Sequence, residues 1–116
     1  MTEKSKTCVV NVKKNILIKK GYKDFQDWNS KLNHVYIGRD TSFYVPGAKA
    51  SKWANPFPVK KYGRDKCLEL YRDYIATNKK LMTDLDELDG KELGCWCDPE
   101  PCHGHILVEL IEEKKS

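Results

Sequence analysis

Apolar and polar residues alternate through CVVNVKK (8–14), with Val10 and Val12 on one side, which predicts a strand. A second strand is expected at HVYIGR (34–39), stopped by Gly38. Residues 15–33 between them are irregular; Gly21 interrupts them, DFQDWNSKL has room for a helical turn or two, and the stretch reads as a variable excursion. Residues 64–78 carry Cys67, Leu70, Tyr71, Tyr74 and Ile75 at i, i+3, i+4, i+7 and i+8, one face of a helix. LMTDLDEL (81–88) repeats the pattern with Leu81, Leu85 and Leu88, and Gly90 suits its C-terminal end. KELGCWC (91–97) predicts a third strand. Ile106, Leu107, Leu110 and Ile111 then predict a terminal amphipathic helix, with Lys114 and Lys115 at the end its dipole favours.

Residues 40–63 hold three prolines and two glycines, too long a connection to be idle in a compact domain, and Phe43, Tyr44, Trp53 and Phe57 argue for order. The pattern is therefore β, β, long loop, α, α, β, α. It predicts a single α/β domain over 1–116, with about three strands in a mostly parallel sheet, three helices and one long ordered functional loop.

Composition narrows the class. The chain has 116 residues, 40% apolar and 33% charged, enough for one core without disulfide staples. No apolar run approaches the roughly 18 residues of a membrane span, which argues against a membrane partner. MTEKSKTCVV lacks the apolar segment of a secretory signal. The five cysteines are odd in number and unevenly spread, unlike a secreted disulfide scaffold, so a reducing, cytoplasmic setting is expected. The formal charge of +4 comes from dispersed lysine pairs. They read first as a solvated face and second as a diffuse nucleic-acid surface, without an arginine-rich stripe to support it.

The densest chemistry lies in GCWCDPEPCHGH (94–105). On a strand, Cys95 and Cys97 share a face and Trp96 takes the other. Pro101 suits a first helical turn, which puts Cys102, His103 and Gly104 at a helix N-terminus. Unpaired N–H groups there depress a thiol pKa and attract phosphate. Three readings stay open. In one, Cys95, Cys97, Cys102 and His103 or His105 hold zinc, although a C-x-C pair spreads its sulfurs on an extended strand. In another, Cys102 and His103 face a ligand beside Cys97 and Asp98, with Cys102 as nucleophile or His103 as general acid or base. In the third, the cysteines are core residues and His103 a local cap. Arg39 closes the second strand and suits a phosphate or carboxylate, Trp53 offers a stacking surface, and Asn55 offers a two-way hydrogen bonder, or merely a turn before Pro56. His34 lacks local partners and reads as a strand-surface residue.

VVNVKK, VYIGR, SKWANPF, GKELGCWCDPEPCHG and ILVEL, in this order, resemble domain of unknown function 4326, a family of phage, bacterial and giant-virus proteins. The resemblance covers nearly the whole chain outside 15–33 and implies a compact α/β domain without an established activity. The family pattern C-x-C-x-P-x-x-C-H-G-D maps onto Cys95, Cys97, Pro99, Cys102, His103 and Gly104; His105 stands where aspartate is usual. A shorter C-H motif in domain of unknown function 488 is similar but lacks the middle cysteine, which favours a helix-terminus thiol site. The leading expectation is a Cys/His site, with Gly104 beside it, binding or modifying a nucleotide, a nucleobase in nucleic acid or a related anion. The alternative is a non-enzymatic, zinc-stabilised module that binds nucleic acid or protein.

Overall fold

The computed structural model describes residues 7–96 and 102–115. Three strands form one parallel sheet: β1 (Cys8–Asn11), β2 (His34–Tyr36) and β3 (Glu92–Cys95), in the order β1-β3-β2. The last strand in sequence is therefore the central one. Cys8 and His34 both align with Glu92, and Val10 and Tyr36 both align with Gly94.

Among the described residues six α-helices surround the sheet, where the sequence predicts three. α1 (Lys14–Lys19) and α2 (Phe25–Asn29) lie between β1 and β2. α3 (Val59–Tyr62), α4 (Arg64–Ala76), α5 (Lys79–Asp84) and a 3-10 turn (Leu85–Leu88) precede β3, and α6 (His103–Lys115) follows it. The class is the expected α/β. The extra helices α1, α2 and α3 are short, and of the three only α2 has a side-chain cap, where Asp24 accepts the Asp27 N–H at 2.9 Å.

The two crossovers run in opposite directions across the sheet. The right-handed rule for parallel connections then sends their helices to opposite faces. Strand alternation matches this. Val10, Val12 and Tyr36 pack with Leu17, Phe25 and Trp28 under α1 and α2. Leu93, Cys95 and Ile37 pack with Tyr71, Ile75, Leu107 and Ile111 under α4 and α6. Residues 15–33, which look irregular in the sequence, thus close one whole face. His34 belongs to that closure: its ring stacks on Trp28 with centroids 4.6 Å apart, and its nitrogens meet Trp28 O at 2.7 Å and Glu92 Oε2 at 3.1 Å. It is not the partnerless surface residue that the sequence suggests.

Two glycines set layer spacing. A Cβ on Gly94 would lie 2.5 Å from the Trp28 ring and 2.8 Å from Val12, and one on Gly104 would lie 2.9 Å from Ile37 Cδ1. Both positions need a residue without a side chain so that α2 and α6 can approach the sheet. Among the described residues no helix is long and apolar enough to cross a membrane.

A cationic cleft at the carboxyl edge of the sheet

A cavity of about 530 Å³ opens where β2 and β3 end. Gly38 and Arg39 leave β2 on one side, and Cys95 and Trp96 end β3. Cys102 and His103, at the start of α6, stand beside them. The far wall is the loop from Asn55 to Lys60, backed by Arg64 and Cys67 of α4.

The long loop is held by its own motif. The Ser51 N–H donates to Gly38 O at 3.0 Å, which fastens SKWANPF to the end of β2. Trp53 then enters the core, 1% exposed, and its carbonyl accepts the buried Tyr71 hydroxyl at 2.6 Å. Trp53 is therefore the anchor of the loop and does not line the cleft, contrary to the stacking role considered for it. An indole this large contributes more by burial than a loop can forgo.

Asn55 lines the cleft, but its side chain is turned to the loop. Oδ1 accepts the Phe57 N–H at 2.9 Å, the turn that an Asx residue makes with its own backbone. Nδ2 donates to Cys67 Sγ at 2.9 Å, and that thiol donates to Phe57 O at 2.9 Å. Arg39 is exposed at the rim, and its Nε donates to Asn55 O at 3.0 Å. The two aromatic walls are Phe57 and Trp96. Trp96 Nε1 donates to the Tyr36 hydroxyl at 2.8 Å, which donates in turn to Arg39 O at 2.6 Å. Trp96, not Trp53, is the indole at the cleft. Alternation along β3 gives no signal for this, because it puts Trp96 opposite Cys95, which also lines the cleft.

Cys102 is buried, with its sulfur 3.2 Å from that of Cys95. Contact with Cys95 and burial push the Cys102 thiol well above its ordinary pKa, while N–H donors of Gly104 and His105 pull the other way. The expected depression of this thiol is therefore reversed. The helix N-terminus lowers a thiol pKa only when its donors outweigh the cost of a buried charge beside a second sulfur. The same donors are used inside the protein. The Cys102 N–H donates to His105 Nδ1 at 3.1 Å, so Cys102 and His105 form a reciprocal cap in the positions of a capping box. The first turn of α6 is thus largely satisfied from within. Gly104 is buried beneath it as a spacer, not exposed as a ligand contact.

His103 is partly buried and holds Ile37 O at 2.7 Å through Nε2. A carbonyl only accepts, so Nε2 carries the hydrogen and Nδ1 keeps the lone pair in the neutral ring. Burial lowers the His103 pKa, and the charges of Arg39 and His105 lower it further, against the Ile37 carbonyl. The imidazole is neutral at pH 7 and able to accept a proton at Nδ1.

Of the zinc set, all but Cys97 lie in the described residues. Cys97 and Asp98 fall in residues 97–101, outside the described part of the chain. Cys95 and Cys102 are in sulfur contact, the nitrogen His103 uses goes to Ile37 O, and the nitrogen His105 uses goes to the Cys102 N–H. Among the described residues no group of three or more His, Cys, Asp or Glu side chains could hold a metal ion. Lys60 and Arg64, which the sequence did not single out, join Arg39 in lining the cleft, and no acidic side chain stands among its described lining residues.

The family model described as "Domain of unknown function (DUF4326)" matches residues 21–113. An uncharacterized protein, R718, of Acanthamoeba polyphaga mimivirus is 39% identical over 87 residues, which cover 67% of this chain and 66% of that protein. The matched stretch thus spans just under two thirds of the mimivirus relative's length. An uncharacterized 12.4 kDa protein from the nrdA-td intergenic region of Enterobacteria phage T4 is 33% identical over 85 residues, covering 70% of this chain and 79% of that protein. No solved structure matches.

Proposed function

Because this chain belongs to the DUF4326 family, a domain of unknown function, we propose its role from the cleft itself: it binds a nucleotide or a similar phosphate-bearing ligand. The observation that carries this reading is Arg39, Lys60 and Arg64 lining one aromatic-walled cavity that has no acidic side chain among its described lining residues. Guanidinium groups offer phosphate paired donors, and Trp96 and Phe57 offer a base flat faces. A volume of about 530 Å³ is within the range of small-ligand sites. The phosphate is held by these cations and not by the end of α6, whose first turn is capped by Cys102 and His105.

His103 is the group best suited to chemistry on such a ligand. It is neutral, it lines the cleft, and its Nδ1 is a free base in the tautomer that Ile37 O selects. It would take a proton from a ligand hydroxyl or from water. Cys102, with its thiol pushed up, is poorly suited to act as a resting thiolate nucleophile.

Calorimetric titration with nucleoside monophosphates, the matching nucleosides and inorganic phosphate tests the reading. Monophosphates should bind about tenfold or more tighter than nucleosides, and Arg64→Ala should remove most of that advantage. Equal binding of both classes, or of neither, would refute it.

A further inference from the structure

We propose that Cys95 and Cys102 form a thiol–disulfide exchange pair that takes an anionic low-molecular-weight disulfide from the cleft. The inference goes beyond nucleotide binding: the sulfur pair is a separate observation, and only the choice of an anionic disulfide rests on the cations of that reading. The two sulfurs, one at the end of β3 and one at the cap of α6, lie 3.2 Å apart, and both residues line the cleft.

Backbone packing imposes this approach. Cys95 sits in the central strand, paired on the β1 side with Asn11. Cys102 is fixed by the cap of α6, which Gly104 lets settle on Ile37 and Val9. Closing the sulfurs from 3.2 Å to the roughly 2.05 Å of a disulfide needs a movement of about 1 Å. Elsewhere, Cys67 is engaged by Asn55 and Phe57, and Cys8 is exposed at the opposite end of β1.

The cleft selects the oxidant. Both thiols are about 1% exposed, so a folded protein's disulfide cannot reach them, whereas a peptide-sized one can enter the cavity. Arg39, Lys60 and Arg64 favour a disulfide that carries carboxylates. One thiol of the pair loses its proton and attacks a sulfur of the small disulfide. That S–S bond breaks, and the first small thiolate leaves and takes up a proton. The other thiol then loses its proton and attacks the mixed disulfide, forming Cys95–Cys102 and releasing the second small thiolate, which is protonated in turn. Two protein thiols are oxidised and one external disulfide is reduced to two thiols.

Full-length protein, reduced and freed of reductant, is incubated with glutathione disulfide or with neutral 2-hydroxyethyl disulfide. Intact mass and peptide mapping follow the reaction. The wild type should lose two hydrogens per chain, with the linkage mapped to Cys95 and Cys102, and react about tenfold faster with the anionic disulfide. Arg39→Ala should remove that preference. Cys102→Ser keeps a capping hydroxyl and should accumulate no intramolecular bond; Cys95→Ala gives the same readout from the other side. Thiols that stay reduced in the folded protein would overturn the proposal. So would a bond mapped to Cys97, equal rates with the two disulfides, or a purified protein carrying one zinc ion per chain that protects both sulfurs. Exchange without any nucleotide binding would leave this inference standing and remove the functional reading; binding without exchange would do the reverse.

Discussion

Arg39 Nε donates to the main-chain carbonyl of Asn55 at 3.0 Å, so the residue that ends VYIGR clasps the loop built by SKWANPF. One guanidinium both positions the cleft wall and supplies positive charge at the rim. Lysine would keep the charge and lose the Nε donor. Arg39→Lys is therefore expected to cost about 1 kcal/mol of stability in urea titrations. It should also weaken nucleoside monophosphate binding roughly five- to tenfold, measured by calorimetry. An unchanged affinity would show that charge alone is what the rim provides.

The two indoles at this end of the sheet should separate cleanly. Trp53→Ala empties a site that is 1% exposed and is expected to cost about 3–5 kcal/mol in chemical denaturation. Trp96 is only partly buried, and Trp96→Ala should cost less stability while weakening monophosphate binding. If Trp53→Ala kept its stability and lost only binding, the assignment of the two residues would be reversed.

Glycine spacing predicts an ordering. Gly104→Ala brings a methyl group to 2.9 Å from Ile37 Cδ1, the end of a flexible side chain, and should cost about 1–3 kcal/mol. Gly94→Ala brings one to 2.5 Å from the Trp28 ring, a rigid group in a sealed layer, and should cost more. Thermal unfolding of the two variants in parallel measures the difference.

His103 makes stability depend on pH. Burial lowers its pKa in the folded protein, so the unfolded chain binds the proton more readily. The contribution of His103 is fully present above the unfolded value of about 6.5 and is lost as pH falls from there towards the lower folded value. Urea midpoints should decline between about pH 7 and pH 5, and His103→Gln should flatten that decline. A decline of the same size in the variant would move its origin elsewhere.

The strands, α4 and α6 are legible in the sequence because each carries a sustained period of two or of three to four, as in Cys67, Tyr71 and Ile75. α1 is not, because six residues are too few for a period to register, and α2 shows only as the helical turn that DFQDWNSKL has room for. Their signal lies in Asp24 as a cap and in the apolar trio Leu17, Phe25 and Trp28, whose use depends on a sheet face that local sequence does not describe. The cleft follows the same division. Arg39 and His103 are placed by a strand end and a helix start, so their positions could be read. Whether Trp53 or Trp96 faced the ligand, and whether Asn55 spent its side chain on the loop, depended on contacts with Tyr71 and Cys67 many residues away. The depressed thiol expected of Cys102 failed for a related reason. Helix polarity can be read locally, but the sulfur seven residues earlier cannot be placed without the fold.

The strand order β1-β3-β2 has a consequence for how the chain reaches this structure. Cys8 pairs with Glu92, and His34 pairs with the same residue, so every ladder in the sheet waits for the last of the three strands to be made. Until Glu92–Cys95 has left the ribosome, β1 and β2 are two open edges with nothing to bind. Sheets dominated by such distant pairings fold slowly and expose their edges on the way. Substitutions in β3 should therefore depress the yield of folded protein in the cell more than equally destabilising substitutions in α4, which can form from its own neighbours.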